Sequence, residues 1–200
     1  MTEALDTTLK SASRGDQAAW RRIVDEYAPR VYGLLKSQCG DGELAEEITQ
    51  SVFCTLAVKV TGEQGYVEQG KFEAWVFRIA INRLRDEGRR RRRQAVNVDR
   101  DLLEERESRS PSHDLSTARG EEFAALREAV AQLPPADRQI IEYRYIGGLS
   151  FRQLADLLDE PLGTVLARQH RALRKLRDLL ESSGASSPSA SPPHQRGGGE

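Results

Sequence analysis

The polar residues most able to do chemistry in this chain are basic and lie in two clusters. From residue 78 to residue 93 there are eight arginines against two acids, a local charge of +6. Cations aligned on one helix neutralise phosphates, and a guanidinium can bond a guanine edge in the major groove. The two clusters therefore indicate contacts with nucleic acid. The second cluster spans residues 162–177 without any Asp or Glu, and its cations are Arg168, His170, Arg171, Arg174, Lys175 and Arg177.

The overall composition gives no such signal, because the formal net charge of the 200 residues is only -1 at pH 7. Charge is instead sorted into blocks, since residues 99–107 carry five acids against two arginines. The two cysteines, Cys39 and Cys54, fall in apolar helical patterns, so neither a disulfide framework nor a zinc site is predicted. No apolar run reaches the length of a membrane span, and the first ten residues lack a secretory pattern. These features predict a cytoplasmic protein without membrane insertion.

Catalytic arrangements are absent from the sequence pattern. There is no carboxylate cluster, nucleophile–base pair or phosphate loop placed to do chemistry, so an enzyme such as a recombinase or nuclease is disfavoured. A group of acids near residue 41 could be proposed as metal ligands, but acids at the start of a helix are favourable by themselves. We therefore predict no metal and no other cofactor. The acids concerned are Asp41, Glu43, Glu46 and Glu47.

Apolar residues recur at helical spacing through most of the chain, and no segment shows the period of two expected of a strand. The sequence therefore predicts an all-α protein. In the first half, Pro29 falls inside a helical run and is predicted to begin a second helix at its first turn. Gly40 and Gly42 end that helix, and Asp41 can cap the next, which runs from residue 43 to about Val60. Residues 61–71 are predicted as a loop, and a last helix extends from about residue 72 to residue 92.

The domain organisation follows from the same patterns. We predict a helical domain over residues 10–93, a flexible linker over 94–120 with one helical turn near Leu102, a second helical domain over 121–181, and a disordered tail over 182–200. In the second domain, a helix from residue 121 to 133 presents Phe123, Leu126, Val130 and Leu133 on one side, and Pro134-Pro135 stops it.

Residues 149–180 predict two short helices joined by a tight turn. Ser150 stands at the N-cap position of the first helix, whose apolar face consists of Phe151, Leu154, Ala155 and Leu158. Pro161 interrupts the pattern, which restarts at Val165 and carries the basic residues. A basic second helix after a tight turn is typical of a helix-turn-helix that enters the major groove. The alternative is a solvated basic face with no role in binding.

Four motifs occur in an order that resembles the extracytoplasmic-function sigma factors, the smallest sigma-70-like initiation factors. Residues 14–35, RGDQAAWRRIVDEYAPRVYGLL, are similar to the opening helices of that family, and ELAEEITQSVF is similar to its polymerase-docking helix. FEAWVFRIAINRLRDEGRRRRR resembles the segment that recognises the -10 element. The segment from LPPADRQIIEYRYIGGLSF to the GTV motif and ALRKLR resembles the -35 reader.

The resemblance implies a subunit that binds core RNA polymerase and directs initiation at -35 and -10 promoter elements. Arg171 is the first candidate for reading a base of the -35 element. Arg168 and His170 are candidates for phosphate or mixed contacts, and Gly163 and Thr164 for anchoring the DNA backbone at the helix start. For Arg174, Lys175 and Arg177, a solvated helix end and DNA contact stay equally open. Leu166 and Ala167 depart from the family, and Leu166 could contact a thymine methyl or lie in the core.

The resemblance places Asn82 where relatives read a flipped -10 base. Phe72 and Phe77 are candidate pocket walls. Trp75 is expected in the core, with stacking on a base as the alternative. Candidates for contacts with the strand's phosphates are Arg78, Arg83 and Arg85. The run from Arg89 to Arg93 would anchor DNA without sequence preference, and the alternatives are a frayed basic helix end or a non-specific RNA-binding patch.

The resemblance also assigns Glu46, Glu47 and Gln50 to the polymerase clamp. Ser51 stands where the family often has an acid, so that contact could be weaker. An anti-sigma factor is a further partner that the resemblance allows. The competing function is a polymerase-independent helix-turn-helix transcriptional regulator. The aromatic and arginine-rich segment 72–93 argues against it, because a duplex binder does not need a pocket for a flipped base.

Overall fold

The computed structural model describes residues 2–62, 70–98 and 118–182, and the regular secondary structure within these ranges is helical throughout. The predicted all-α class is therefore confirmed. Eight helices occur in the described part of the chain: α1 (Thr2–Ser13), α2 (Gln17–Cys39), α3 (Gly42–Thr61), α4 (Phe72–Val98), α5 (Ala118–Gln132), α6 (Pro135–Tyr145), α7 (Phe151–Leu158) and α8 (Leu162–Ser182).

The first four helices pack into one bundle, in which α2 and α3 form an antiparallel hairpin. The hairpin turn confirms the prediction. Gly40 ends α2 in the left-handed conformation, with φ of 68°. Asp41 caps α3 by accepting a hydrogen bond from the Leu44 N–H at 3.1 Å. The core faces of these helices are fully buried, and they include Ile23, Tyr27, Val31, Leu35, Ile48, Val52, Leu56, Val76 and Ala80.

The prediction that Pro29 begins a second helix is wrong. Helix α2 passes through Pro29 without a break and is 23 residues long in all. Proline removes one helical hydrogen bond and crowds the preceding turn, which normally breaks a helix. Here the residues on either side, Tyr27 and Val31, are buried in the bundle. Their packing holds the helix together across the proline, and Pro29 itself is exposed.

Several helices are longer or begin earlier than the sequence pattern suggested. Helix α5 begins at Ala118, inside the predicted linker, and α8 includes Ser182, the first residue of the predicted tail. Helix α1 lies mostly before the predicted start of the first domain. It buries Leu9 and Ala12, and the Trp20 indole N–H donates to the Ala12 carbonyl at 3.0 Å. Helix α4 continues to Val98, beyond the predicted end at residue 92. The predicted turn near Leu102 and the predicted tail from residue 183 onward lie outside the described residues.

Helices α5 to α8 form the second helical unit. Helix α6 begins at Pro135 directly after Pro134, as predicted. The Ser150 side chain accepts from the Gln153 N–H and the Gln153 side chain accepts from the Ser150 N–H, which makes a capping box at the start of α7. Asp159 then ends α7 in the left-handed conformation, with φ of 56°, and the chain turns there toward α8.

Part of the predicted apolar patterning in this unit is wrong. On α5, Phe123 is 57% exposed and Leu126 is 38% exposed, and the buried positions are Ala129 near the end of the helix and Leu133 directly after it. The predicted face therefore meets the core only through the last turns of the helix. On α8, Leu166 is 42% exposed, so it is not a core residue.

Candidate nucleic-acid interface

Helix α8 buries one face and turns another to solvent. Val165, Ala172 and Leu176 are buried against the rest of the second unit. His170 and Arg171 are exposed on the outward face, as a DNA-reading role requires. An arginine there can reach a base edge, because no element in the described part of the chain covers it.

The first turn of α8 is open to solvent. Gly163 and Thr164 are exposed, and a side chain built on Gly163 would meet no atom within 4 Å. The Thr164 N–H donates to the Pro161 carbonyl at 2.9 Å, so this amide is already engaged. Of the two residues, Gly163 thus offers the closer approach for a DNA backbone, and Thr164 offers an exposed side chain.

Arg168 is not free on this surface, contrary to the sequence expectation. Its Nη2 lies 2.7 Å from Oε1 of Glu160 in the helix-turn-helix turn, and only 18% of the Arg168 side chain is exposed. Lys175 is also paired, since its Nζ lies 2.5 Å from Oδ2 of Asp137 on α6. Both side chains tie α8 to preceding elements of its own unit.

Helix α4 carries the second basic surface. Asn82 and Arg85 are exposed, as their predicted roles require. Arg78 is also exposed, but its guanidinium donates to the main-chain carbonyl of Asp156 at the end of α7. One predicted phosphate contact of the first unit is therefore occupied by the second unit in this arrangement.

The predicted pocket walls are not accessible. Phe72 is 1% exposed and Phe77 is 0% exposed. Phe72 packs edge-on against Tyr27, with ring centroids 5.4 Å apart, and Trp75 leans on it at 5.9 Å. A pocket wall must present its ring to a base, so the assignment of these two phenylalanines is corrected. They are core residues here, and the partly buried Trp75 packs against that core.

Arg83 is likewise turned inward rather than toward a DNA strand. Its guanidinium donates to the hydroxyl groups of Ser51 and Thr55 on α3. This side chain therefore joins α3 to α4, and its assignment to a phosphate contact is corrected. Sequence spacing alone did not indicate this role, because it depends on which face of α4 meets α3.

The arginine run is partly neutralised within its own helix. Arg90 and Arg91 both bond to Glu87, and Arg91 also reaches Asp41 with a distance of 3.4 Å. Hydrogen bonds from Arg90 and Arg91 lower the pKa of Glu87 to about 2. The N–H of Leu44, together with Arg91, lowers the pKa of Asp41. Both carboxylates stay charged at neutral pH, so part of the charge of the run is balanced.

The predicted polymerase ridge is exposed and borders a groove. Glu46, Glu47 and Gln50 lie on the outer face of α3. The opposite wall of the groove comes from α2 and includes Val24, which is 39% exposed, and Tyr32. The sequence interpretation missed the α2 side, because Val24 follows the helical spacing of the core.

Besides the contact of α4 with α7, the two helical units meet through a set of specific contacts around Arg30 of α2. Its Nε donates to the Gly147 carbonyl at 2.9 Å, and its Nη2 lies 3.3 Å from Glu73 Oε2. The same guanidinium stands over the Tyr27 and Phe77 rings at 5.2 and 5.6 Å. Gly147 also lies close to the Phe77 ring, since a Cβ built at position 147 would be 3.4 Å from a carbon of that ring.

Further contacts extend this interface. Lys71 lies 3.7 Å from Asp156, and Gly33 of α2 allows the close approach of Ile146, to which a Cβ at position 33 would be 3.3 Å away. Nothing in the sequence indicated these residues, because their roles depend on two separate units meeting.

Comparison with known proteins agrees with the two-unit architecture. Sigma-70 region 2 matches residues 23–94, and Sigma-70 region 4 matches residues 129–178. The two basic helices α4 and α8 thus fall in the two matched regions of a sigma-70-type protein. The ECF RNA polymerase sigma factor SigK of Mycobacterium ulcerans is 30% identical over 192 residues, which cover 91% of this chain and 96% of that relative. The chain belongs to the extracytoplasmic-function RNA polymerase sigma factors.

A second relative is the ECF RNA polymerase sigma factor SigE of Mycolicibacterium smegmatis. It is 35% identical over 173 residues, which are 83% of this chain and 64% of that relative's length. Among solved structures, CnrH in complex with the cytosolic domain of CnrY covers 89% of this chain and 98% of its own, with 20% identity and a TM-score of 0.61. The sigma factor RpoE in complex with the anti-sigma factor NepR from Bartonella quintana covers 80% and 96%, with 22% identity and a TM-score of 0.57. These two structures share the fold.

Membership of this family establishes the general role of the chain. It is a sigma factor, which binds core RNA polymerase and directs promoter-specific initiation of transcription. None of the helices in the described part of the chain is long and apolar enough to cross a bilayer.

Proposed function

We propose a division of labour in which the outward face of α8 reads the -35 element and the exposed face of α4 reads the -10 element. The observation that supports it is the exposure of Arg171 and Asn82 on helices of different units. Arg171 would form two hydrogen bonds with a base edge in the major groove, and His170 would contact the adjacent DNA backbone. The open start of α8 at Gly163 and Thr164 would face a phosphate.

On α4, Asn82 would hold a flipped base, because an amide both donates and accepts hydrogen bonds. Arg85 and the distal arginines Arg92 and Arg93 would follow the strand's phosphates. Arg78 joins this set only when it leaves the Asp156 carbonyl.

Simultaneous reading of both elements requires the two units to separate. Elements about 25 base pairs apart are about 85 Å apart along straight duplex, at about 3.4 Å per base pair. In the structure, α4 and α7 are in direct contact through Arg78 and Asp156. We infer that the packed arrangement is a closed form and that promoter engagement on the polymerase uses an open one.

The groove beside Glu46, Glu47 and Gln50 is the proposed docking surface for core polymerase. Its apolar wall at Val24 and Tyr32 would be covered on docking, while the acids at the rim would set the orientation of the partner. We further propose that the protein is not an enzyme and that it acts in the cytoplasm, where polymerase transcribes. By analogy with the two similar complexes, an anti-sigma factor would be a further partner of this chain.

Run-off transcription on a pool of genomic templates tests this function directly. Core polymerase is assayed with and without the full chain, and protein-dependent start sites are expected. Arg171→Ala should reduce initiation by loss of -35 binding, whereas Arg177→Ala, an exposed arginine at the far end of the same helix, should have a smaller effect. Asn82→Ala should leave duplex binding intact and reduce permanganate reactivity of the opened -10 segment. Absence of protein-dependent start sites together with no co-purification with core polymerase would refute the proposal.

A further inference from the structure

The cations of α8 separate into two groups by their position around the helix. A helix turns by about 100° per residue, so residues seven apart lie within about 20° of each other. Arg168 and Lys175 are such a pair, and they share the edge of α8 that borders the buried face. Arg171 and Arg174 are both exposed to solvent. Arg171 lies about 40–60° around the helix from the two edge cations, and Arg174 lies about 100° or more from them.

Both edge cations are matched by a carboxylate from outside α8. Arg168 pairs with Glu160 at 2.7 Å, and the two side chains are 18% and 27% exposed. Lys175 pairs with Asp137 at 2.5 Å, and the Asp137 side chain is 9% exposed. Partly buried pairs of this kind are screened little by salt. The charge of each edge cation is therefore balanced locally before any DNA approaches.

Glu160 is held in position by the turn that contains it. Asp159 before it adopts a left-handed conformation, and Pro161 after it has a fixed φ. The other oxygen of Glu160, Oε2, is buried and accepts no hydrogen bond from any described residue. A carboxylate with one unsatisfied oxygen depends on its remaining partner, so removing Arg168 or Glu160 leaves the other group poorly compensated. We therefore expect the ion pair between Arg168 and Glu160 to persist, unlike a transient ion pair at the surface.

We propose that Glu160 determines the specificity of the α8 reader by neutralising Arg168. The proposal rests on the proposed binding of duplex DNA by α8. A phosphate contact adds affinity for every DNA sequence equally, whereas a base contact favours one sequence. By keeping Arg168 from a phosphate, Glu160 lowers non-specific affinity and leaves discrimination to Arg171 on the exposed face. Glu160 is a positioning residue in this scheme, because it acts through Arg168 and touches no base.

The salt dependence of duplex binding tests the proposal. The full chain is titrated against a fluorescent 30-base-pair duplex of random sequence at several salt concentrations. This probe is chosen because the outward face of α8 is exposed even with the two units packed together. One additional phosphate contact steepens the slope of log K against log salt by about 0.9. At 0.1 M salt this corresponds to a gain in affinity of up to about eightfold, relative to the affinity extrapolated to 1 M salt.

Three variants are compared with the wild type. Glu160→Gln is expected to steepen the slope by about 0.9. It is also expected to reduce the preference for a duplex that carries the -35 region of a promoter found in the run-off assay over the random duplex. Arg168→Gln is expected to leave the slope unchanged, because its charge is already balanced. The double variant is expected to return to the wild-type slope. Since the double variant keeps the altered turn, such a return excludes misfolding as the cause of the Glu160→Gln effect.

Two results would overturn the proposal. An unchanged slope in Glu160→Gln would show that Arg168 does not reach a phosphate when released. A slope reduced by about 0.9 in Arg168→Gln would show that Arg168 already contacts phosphate in the wild type. If Arg171→Ala weakens binding while Glu160→Gln changes nothing, only this proposal fails. If the wild type shows no salt-dependent binding and Arg171→Ala has no effect, the assignment of α8 to DNA fails as well.

Discussion

Replacing Arg30 with alanine should shift the protein from the closed to the open arrangement. The guanidinium joins the Gly147 carbonyl of the second unit to Glu73 of the first, with only 23% of its side chain exposed. A hydrogen bond from a charged group contributes about 1.5–3 kcal/mol net. Loss of the contact with Gly147 should therefore lower the ratio of closed to open molecules by about tenfold to a hundredfold, at about 1.4 kcal/mol per tenfold.

Energy transfer between two dyes measures this shift. One dye is attached to Cys54, which is exposed on α3, and the other to Glu181→Cys on α8, in a Cys39→Ser background. The urea concentration at which transfer is half lost, before the helices unfold, reports the closed-to-open equilibrium. Arg30→Ala should lower this midpoint, and Arg21→Ala, an exposed arginine on the same helix, should leave it unchanged.

Far-UV circular dichroism separates opening from unfolding in the same titration. The reasoning is refuted if Arg30→Ala retains its helical signal and its transfer midpoint equals that of Arg21→Ala. In that case the packing of the units would depend on other contacts. A simultaneous loss of helix and of transfer would instead show that Arg30 stabilises the first bundle itself.

Three further outcomes follow from the structure. Gly33→Leu should open the units without weakening α2, because a larger side chain there meets Ile146 while leucine favours a helix; unchanged dye transfer would contradict this. Burial raises the pKa of Glu142, so its folded-state pKa lies above its unfolded value, and Glu142→Gln should raise the Tm at pH 8 by an amount that disappears as the pH falls below the unfolded-state pKa; a constant difference would exclude the charge as the cause. Ser150→Ala should cost about 1 kcal/mol in the free energy of unfolding of the second unit, while Ser150→Thr should keep most of the cap; equal losses in a denaturant titration would rule out capping.

The helices of this protein could be predicted well where local chemistry decides them. The turn at Gly40 and Asp41, the start of α6 at Pro135 and the cap at Ser150 each depend on a residue whose own conformational preference is strong. Pro29 was predicted wrongly for the opposite reason. Its local preference to break the helix is overcome by the burial of residues on both sides, and that burial is a property of the bundle.

The candidate site could be predicted only in part, because residue type does not tell which face of a helix is covered. Arg171 and Asn82 are exposed as expected. Arg83 and Arg168 have the same guanidinium group as Arg171, but contacts with neighbouring elements hold their side chains. Phe77 fits the composition of a base-binding pocket, but its burial depends in part on Gly147 in the other unit. Periodicity within one helix does not contain this information.

The turn between α6 and α7 is needed both for the folding of the second unit and for the packing of the two units in the closed form. A Cβ at Gly147 would lie 2.8 Å from the Tyr143 carbonyl, and Gly148 has φ of 67°, so neither position readily accepts another residue. The same turn supplies the carbonyl that Arg30 holds. Substitutions at Gly147 or Gly148 that would weaken the contact between the units also destabilise the second unit itself. Selection for folding of that unit would therefore remove them. Over evolutionary time, selection for a foldable turn would preserve this half of the Arg30 contact, and divergence in how tightly the units close would be left to position 30 and to the other contacts between them, such as that of Arg78 with Asp156.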